Sequence, residues 1–124
     1  MKILPVVFNP NYHINGWETS HRFPMPKYQL LYQLLVEEGI CDPGKFHQAS
    51  PASRNALERV HLPSYLDDFL AGQLDAKVMR RIGLPWSEGL VARTLASSGG
   101  SLMAGRLALE SGIVSNLGGG AHHS

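Results

Sequence analysis

The pattern of apolar and polar positions predicts two strands separated by a long helical region. An apolar run over residues 3–8 predicts a buried strand, and the turn residues Asn9, Pro10 and Asn11 end it. A second apolar run over 113–117 predicts another strand. Between them, leucines at helical spacing, together with Ser, Asp and Pro starts and Gly stops, predict helices over 26–39, 50–60, 63–72, 75–83 and 87–112.

The last of these helices is the longest, and its pattern predicts how it packs. Gly99, Gly100 and Gly105 each cost about 1 kcal/mol relative to alanine inside a helix, so they predict close approach of another backbone. The inner face is predicted to contain Leu90, Val91, Leu95, Ser98, Leu102, Ala108 and Leu109.

Strands joined through helices indicate an α/β fold with a parallel sheet, whose sites usually lie at the carboxyl ends of the strands. The second predicted strand leads directly into Gly118, Gly119 and Gly120, followed by His122 and His123. Two strands are too few to bury both faces of a parallel sheet. We therefore expect residues 1–124 to be the N-terminal part of a single domain, truncated after the paired histidines.

Composition narrows the function classes. The chain has 124 residues, 44% of them hydrophobic, and a formal net charge of +1, which fits one folding unit. No run of like charges marks a nucleic-acid or membrane surface, and no apolar run approaches the ~20 residues of a membrane span. Cys41 is the single cysteine and cannot form an internal disulfide, so a cytoplasmic location is expected.

The paired histidines carry the most pointed chemistry in the sequence. Imidazole titrates near pH ~6.5, so two histidines held together can divide the work of acid and base. Glycines before them permit the sharp turn that brings adjacent side chains to one substrate. The alternative interpretation is a linker with the remainder of a purification tag.

Five segments stand in order along the chain: HRFPMPKY at 21–28, RVHLPSYL at 59–66, IGLPWS at 82–87, GGS at 99–101 and NLGGGAHHS at 116–124. Together they resemble the histone deacetylase superfamily, which includes acetoin-utilisation-type deacetylases and acetylpolyamine amidohydrolases, and so they favour the first interpretation. The resemblance covers nearly the whole chain.

The resemblance implies a three-layer arginase/deacetylase-type fold. It also implies an enzyme that uses zinc to hydrolyse the amide of an acetylated lysine or small acetylated amine. His123 matches the general base and later acid, and His122 matches its partner. Gly119 and Gly120 match the wall of the substrate channel. Arg22 and Met25 match the cavity through which acetate leaves, with a loop-tethering arginine and a core methionine as the alternatives.

Two departures from the family pattern matter. Gly83 and Leu84 stand before Pro85, where many peptide-directed members carry an acidic residue that holds the substrate backbone. The family's zinc ligands, an Asp-x-His pair and a further Asp, have no match in this chain. Two classes therefore stay open: the acid/base half of a zinc deacetylase, inactive alone, or a noncatalytic short protein that acts by binding a partner chain.

Overall fold

The computed structural model describes residues 4–17 and 22–120. In these ranges the chain forms, in order, β1 (Val6–Val7), α1 (Lys27–Glu37), α2 (Arg54–Glu58), α3 (Pro63–Ala71), α4 (Ala76–Ile82), α5 (Glu88–Ser111) and β2 (Ser115–Asn116). Single 3₁₀ turns occur at Pro10–Tyr12 and Pro43–Lys45. The predicted α/β organisation is confirmed at this level, as a mixed helical protein with a small parallel sheet.

The sheet joins distant parts of the sequence. β1 and β2 run parallel, with Val6 opposite Ser115 and Val7 opposite Asn116. On the other edge of β1, Val7 bridges His47 in parallel, and the His47 amide donates to the Val6 carbonyl at 2.8 Å. β1 therefore lies in the middle. Both strands are shorter than predicted, and the pairing at 47 falls in a segment predicted as loop.

The helix ends follow the predicted local chemistry. Asp75 accepts from the Val78 amide at 2.8 Å to cap α4, and Ser87 accepts from the Leu90 amide at 2.9 Å to cap α5. Gly72, Gly83 and Gly112 end α3, α4 and α5 in the left-handed conformation. A glycine suits each of these ends because it has no Cβ to oppose a positive φ.

The predicted start of α2 was wrong. The helix begins at Arg54, capped by Ser53, rather than at Ser50. The segment before it is held in an extended form, because the Ala52 amide donates to the Leu95 carbonyl at 2.9 Å and the Asn9 side chain donates to the Ala49 carbonyl at 3.1 Å. These tertiary hydrogen bonds override the local helix signal.

The predicted inner face of α5 was also wrong in part. Leu102 and Leu109 are 44% and 90% exposed. The buried positions are instead mostly small ones: Leu90, Arg93, Ala96, Gly99, Gly100 and Ala104. The helix turns this face inward because small side chains let neighbouring segments approach closely.

The glycines of α5 show how close that approach is. A Cβ at Gly99 would lie 2.1 Å from the Ser50 carbonyl oxygen, and one at Gly100 would lie 1.9 Å from the Tyr12 hydroxyl. The predicted close backbone contact is therefore confirmed at Gly99. At Gly105 it was wrong, since no atom of residues 4–17 and 22–120 lies within 4 Å of a Cβ built there.

The core gathers around the 3₁₀ turn after β1. Tyr12 and Met25 are fully buried there, with Tyr28 and Leu90 against them. Phe8 stacks on Tyr32 with ring centroids 4.3 Å apart. This core packs the sheet, α1 and α5 together, and so fixes the backbone that follows β2.

Candidate functional site

After β2 and Leu117 comes a run of three glycines, Gly118, Gly119 and Gly120, here called the glycine loop. It follows the carboxyl end of a parallel strand, where sites in α/β proteins usually lie. Asn116 organises its start: the side-chain oxygen accepts from the Gly118 amide at 3.1 Å and from the Tyr12 hydroxyl at 2.9 Å. The last residue of β2 thus ties the loop to the core.

Tyr12 fits between two glycines. A Cβ at Gly118 would lie 2.6 Å from the Tyr12 ring, just as one at Gly100 would meet its hydroxyl. The Tyr12 ring therefore lies between α5 and the glycine loop, with no room for a Cβ at Gly100 or Gly118. Burial raises the pKa of Tyr12, so its hydroxyl stays a neutral hydrogen-bond donor throughout the physiological range.

Arg93 of α5 is the most unusual side chain at the site. It is only 4% exposed although it carries a positive charge. Its Nε donates to the Tyr12 carbonyl at 3.1 Å, and its Nη2 donates to the Gly119 carbonyl at 2.9 Å. The guanidinium carbon lies 5.1 Å from the centre of the Tyr28 ring and 5.4 Å from that of Phe23. Two carbonyls and two aromatic faces offset the loss of water.

Tyr28 reinforces the same point of the loop. Its hydroxyl also donates to the Gly119 carbonyl, at 3.4 Å. One backbone oxygen therefore receives donors from two side chains, one on α1 and one on α5. The glycine loop is held by fixed groups on both helices.

A cavity of about 310 Å³ opens beside the loop. Arg93, Thr94, Ser98 and Gly120 contribute to its wall. Apolar side chains from α2 to α5 form most of the remaining surface, namely Leu57, Leu66, Phe69, Leu70, Ile82, Leu84, Leu90 and Leu95. The arrangement combines an apolar enclosure with a buried cation at one side, which can confine a small substrate and orient a polar end of it.

The predicted site residues fall into three groups. Gly119 is half-buried and Gly120 is exposed at the cavity wall. Met25 is fully buried in the core, whereas Arg22 is exposed. His122 and His123 lie outside the described residues, and their catalytic roles stay predictions.

Sequence reasoning missed Arg93 and Tyr12. A signal for Arg93 exists: it lies three residues after Leu90 and three before Ala96, on the buried face that continues to Gly100. An arginine on the small-residue face of a long helix cannot reach solvent easily, so it predicts an internal hydrogen-bonding role. Tyr12, in contrast, lies in a loop where no periodicity singles it out.

The remaining histidines give no metal site in the described ranges. His61 is exposed and stacks on Tyr65 with ring centroids 5.6 Å apart. Among residues 4–17 and 22–120, no three His, Cys, Asp or Glu side chains lie together in a way that could hold a metal ion. Within the same ranges, no helix has the length and apolarity needed to cross a membrane.

The fold and the glycine loop define an α/β protein with a candidate site at the carboxyl edge of its parallel sheet. The model of the histone deacetylase domain matches residues 21–124, and the chain belongs to that family. This confirms the resemblance drawn from the five sequence segments.

Two relatives show the extent of the likeness. An uncharacterized protein of Picosynechococcus sp. is 46% identical over 120 residues, covering 97% of this chain and 40% of the relative. Histone deacetylase 2 of Arabidopsis thaliana is 25% identical over 126 residues, covering 95% of this chain and 33% of the relative. The chain thus spans well under half the length of either relative.

Proposed function

We propose that this chain supplies the acid/base half of a zinc-dependent deacetylase site that hydrolyses the amide of an acetylated lysine or small acetylated amine. The observation that carries the proposal is the family match over residues 21–124, which includes the paired histidines. Further support comes from the glycine loop immediately before them, whose Gly119 carbonyl is held by Arg93 and Tyr28.

The proposed roles divide between proton transfer and confinement. His123 accepts a proton from the attacking water and later returns it to the leaving amine, while His122 balances the charge that develops. Gly119 and Gly120 form part of the channel wall, and the place of Gly120 at the cavity supports this role. Residues without side chains leave room for a narrow acyl arm.

The described residues do not fit a zinc site, since they bring no group of three metal-binding side chains together. The zinc ligands are proposed to come from outside this chain, a view supported by the longer relatives, of which it spans 40% and 33%.

The proposal also places Arg22 and Met25 at the cavity through which acetate leaves. Met25 is fully buried in the core cluster, which favours a packing role. Arg22 is exposed. Arg93, rather than Arg22, is the guanidinium that lines the cavity in the described structure.

The test uses a chimaera in which residues 1–124 are followed by the remaining residues of the Picosynechococcus relative. We expect the chimaera to hydrolyse an acetyl-lysine reporter and the 124-residue chain alone to be inactive. His123→Ala in the chimaera should lower kcat by about 10²- to 10⁴-fold, the usual scale for a positioned acid/base group. His122→Ala should cause a smaller loss. Zinc content should be unchanged in both.

The matched control is His47→Ala, because His47 has an exposed side chain and contributes to the sheet through its backbone. Its kcat should equal that of the unsubstituted chimaera. Full activity in His123→Ala, or loss of zinc in that variant, would overturn the acid/base assignment. An inactive chimaera that binds zinc would favour the noncatalytic alternative.

A further inference from the structure

We propose that Arg93 is a positioning residue of this site: it sets the backbone conformation of the glycine loop, and thereby the place of the histidines that follow it. The inference rests on the proposed function for its catalytic consequence, but the structural claim concerns described residues alone. Among the described residues, the Arg93 side chain donates to the carbonyls of Tyr12 and Gly119.

The Arg93 side chain is held on several sides. Its guanidinium is buried, and the described residues give it no carboxylate partner within ion-pair distance. The groups that hold it are the carbonyls of Tyr12 and Gly119 and the rings of Phe23 and Tyr28. A planar fork suits this set of partners, since it can donate in two directions while its face lies on aromatic rings.

The glycine loop has little conformational preference of its own. Three consecutive glycines have no Cβ atoms to restrict the backbone, so their conformation must be imposed by contacts with other parts of the molecule. Asn116 and the Tyr12 ring restrict Gly118. Arg93 and Tyr28 restrict Gly119. Because Tyr12 itself receives the Nε bond, Arg93 joins both sets of contacts.

The glycine loop is close in sequence to the proposed acid/base histidines. His122 and His123 follow Gly119 by three and four residues in the sequence. Proton transfer needs heavy atoms within hydrogen-bond distance, and a displacement of about 1 Å can cost about 10²-fold in rate. A group that fixes Gly119 therefore contributes to catalysis through the backbone of the glycine loop.

The structural test exploits the placement of Gly-Gly peptides. In this chain they occur at 99–100, 118–119 and 119–120. A sample with ¹³C-carbonyl and ¹⁵N glycine therefore gives three carbonyl–amide correlations, in which the Gly119 carbonyl is read through the Gly120 amide. Gly99 is on the same helix as Arg93 and packs against Ser50. Its carbonyl serves as the internal control.

In Arg93→Met we expect the Gly119 carbonyl signal to move upfield, because a carbonyl carbon is deshielded by the hydrogen bond that it accepts. The Gly99 signal should stay in place. Should Arg93→Met not fold, Arg93→Lys gives the same comparison, since lysine keeps the charge but lacks the fork. An unmoved Gly119 signal in the folded variant, or equal movement of both signals, would overturn the proposal.

The kinetic test uses the chimaera with substitutions at Arg93. Arg93→Met should lower kcat by about 10-fold or more and change KM by less than about 3-fold, since positioning affects the reaction more than binding. Arg93→Lys should retain part of the activity. Ser87→Ala, which removes the side-chain cap at the start of α5 and leaves the Arg93 hydrogen bonds in place, is the control for lost stability and should keep its kcat.

These outcomes separate the two proposals. An inactive unsubstituted chimaera counts against the proposed function, while the carbonyl shift still decides whether Arg93 holds the loop. An active chimaera in which Arg93→Met loses no more kcat than Ser87→Ala refutes the positioning role alone.

Discussion

At the scale of single residues, Tyr12 contacts β2, α5 and the glycine loop at the same time. Its hydroxyl bonds to Asn116, its carbonyl accepts from Arg93, and its ring fills the space between Gly100 and Gly118. The ring also meets Phe8 edge to face, with centroids 5.8 Å apart. Because one residue makes all these contacts, loss of one contact should also disturb the others. Substitution of Tyr12 should therefore lower the stability of the fold.

Tyr12→Phe should lower the free energy of unfolding at neutral pH by about 1 kcal/mol, the usual net value of one hydrogen bond. Burial raises the pKa of Tyr12 in the folded state. The unfolded state therefore ionises first as pH rises, and the contribution of the neutral phenol, present below about pH 10, is lost through the folded-state pKa. The difference between the two proteins should shrink above about pH 10.

Urea unfolding of both proteins at pH 7, 9 and 10.5 measures this difference. A gap that stays constant or widens with pH would contradict the assignment of a buried neutral phenol.

What the sequence can predict at this scale depends on how local the cause is. The glycines that end α3, α4 and α5, and the caps Asp75 and Ser87, depend on neighbouring residues and were predicted correctly. The Arg93 contact with Gly119 joins positions 26 residues apart. Nothing in the local pattern gives that partner, so only the fold could show it.

At the scale of elements, the packing of α5 depends on the face that carries its small residues. Gly100→Ala should lower the free energy of unfolding by about 1–3 kcal/mol, the range for overpacking, because the new Cβ would lie 1.9 Å from the Tyr12 hydroxyl. Gly105→Ala is the matched control in the same helix, with no atom within 4 Å. It should raise stability by about 0.5–1 kcal/mol, the helix preference of alanine over glycine.

Denaturant unfolding of the two variants gives this comparison directly. Stabilisation of both would mean that α5 does not pack against Tyr12, and destabilisation of both would mean that Gly105 faces a neighbour after all.

The same helix explains why its inner face was predicted incorrectly. A hydrophobic pattern assigns large apolar residues to the interior, and Leu102 and Leu109 fit that rule. Yet the sheet side of α5 is occupied by Tyr12 and by the segment around Ser50, which leave room only for glycine and alanine. Steric fit decided the orientation here, and hydropathy could not.

At the scale of the whole molecule, the described sheet has an uneven covering. β1 pairs on both sides, with His47 and with β2, whereas within the described ranges β2 pairs only with β1. In the sequence shortly before β2, Leu109 is 90% exposed and Ile113 is 66% exposed. Free strand edges and exposed apolar groups favour association with another chain. The three-layer arrangement stays a prediction, since the described residues hold two strands.

We expect the 124-residue chain to associate as its concentration rises. The double variant Leu109→Gln, Ile113→Thr should weaken association, because it replaces two exposed apolar side chains with polar ones. Leu34→Gln with Ile40→Thr, at exposed positions at the end of α1 and just after it, is the matched control. Sedimentation velocity over a range of concentrations measures the effect. A monomer at every concentration, or equal weakening by both pairs, would contradict the role of this edge.

The parallel pairing of β1 with β2 has a consequence for the order of events during synthesis. Val6 is paired with Ser115, so the first strand is made more than a hundred residues before its partner exists. At translation rates of about 5–20 residues per second, β1 waits several seconds or longer. His47 emerges much earlier and pairs with the other edge of β1. That bridge can pair one edge of β1 until β2 and the glycine loop have been synthesised.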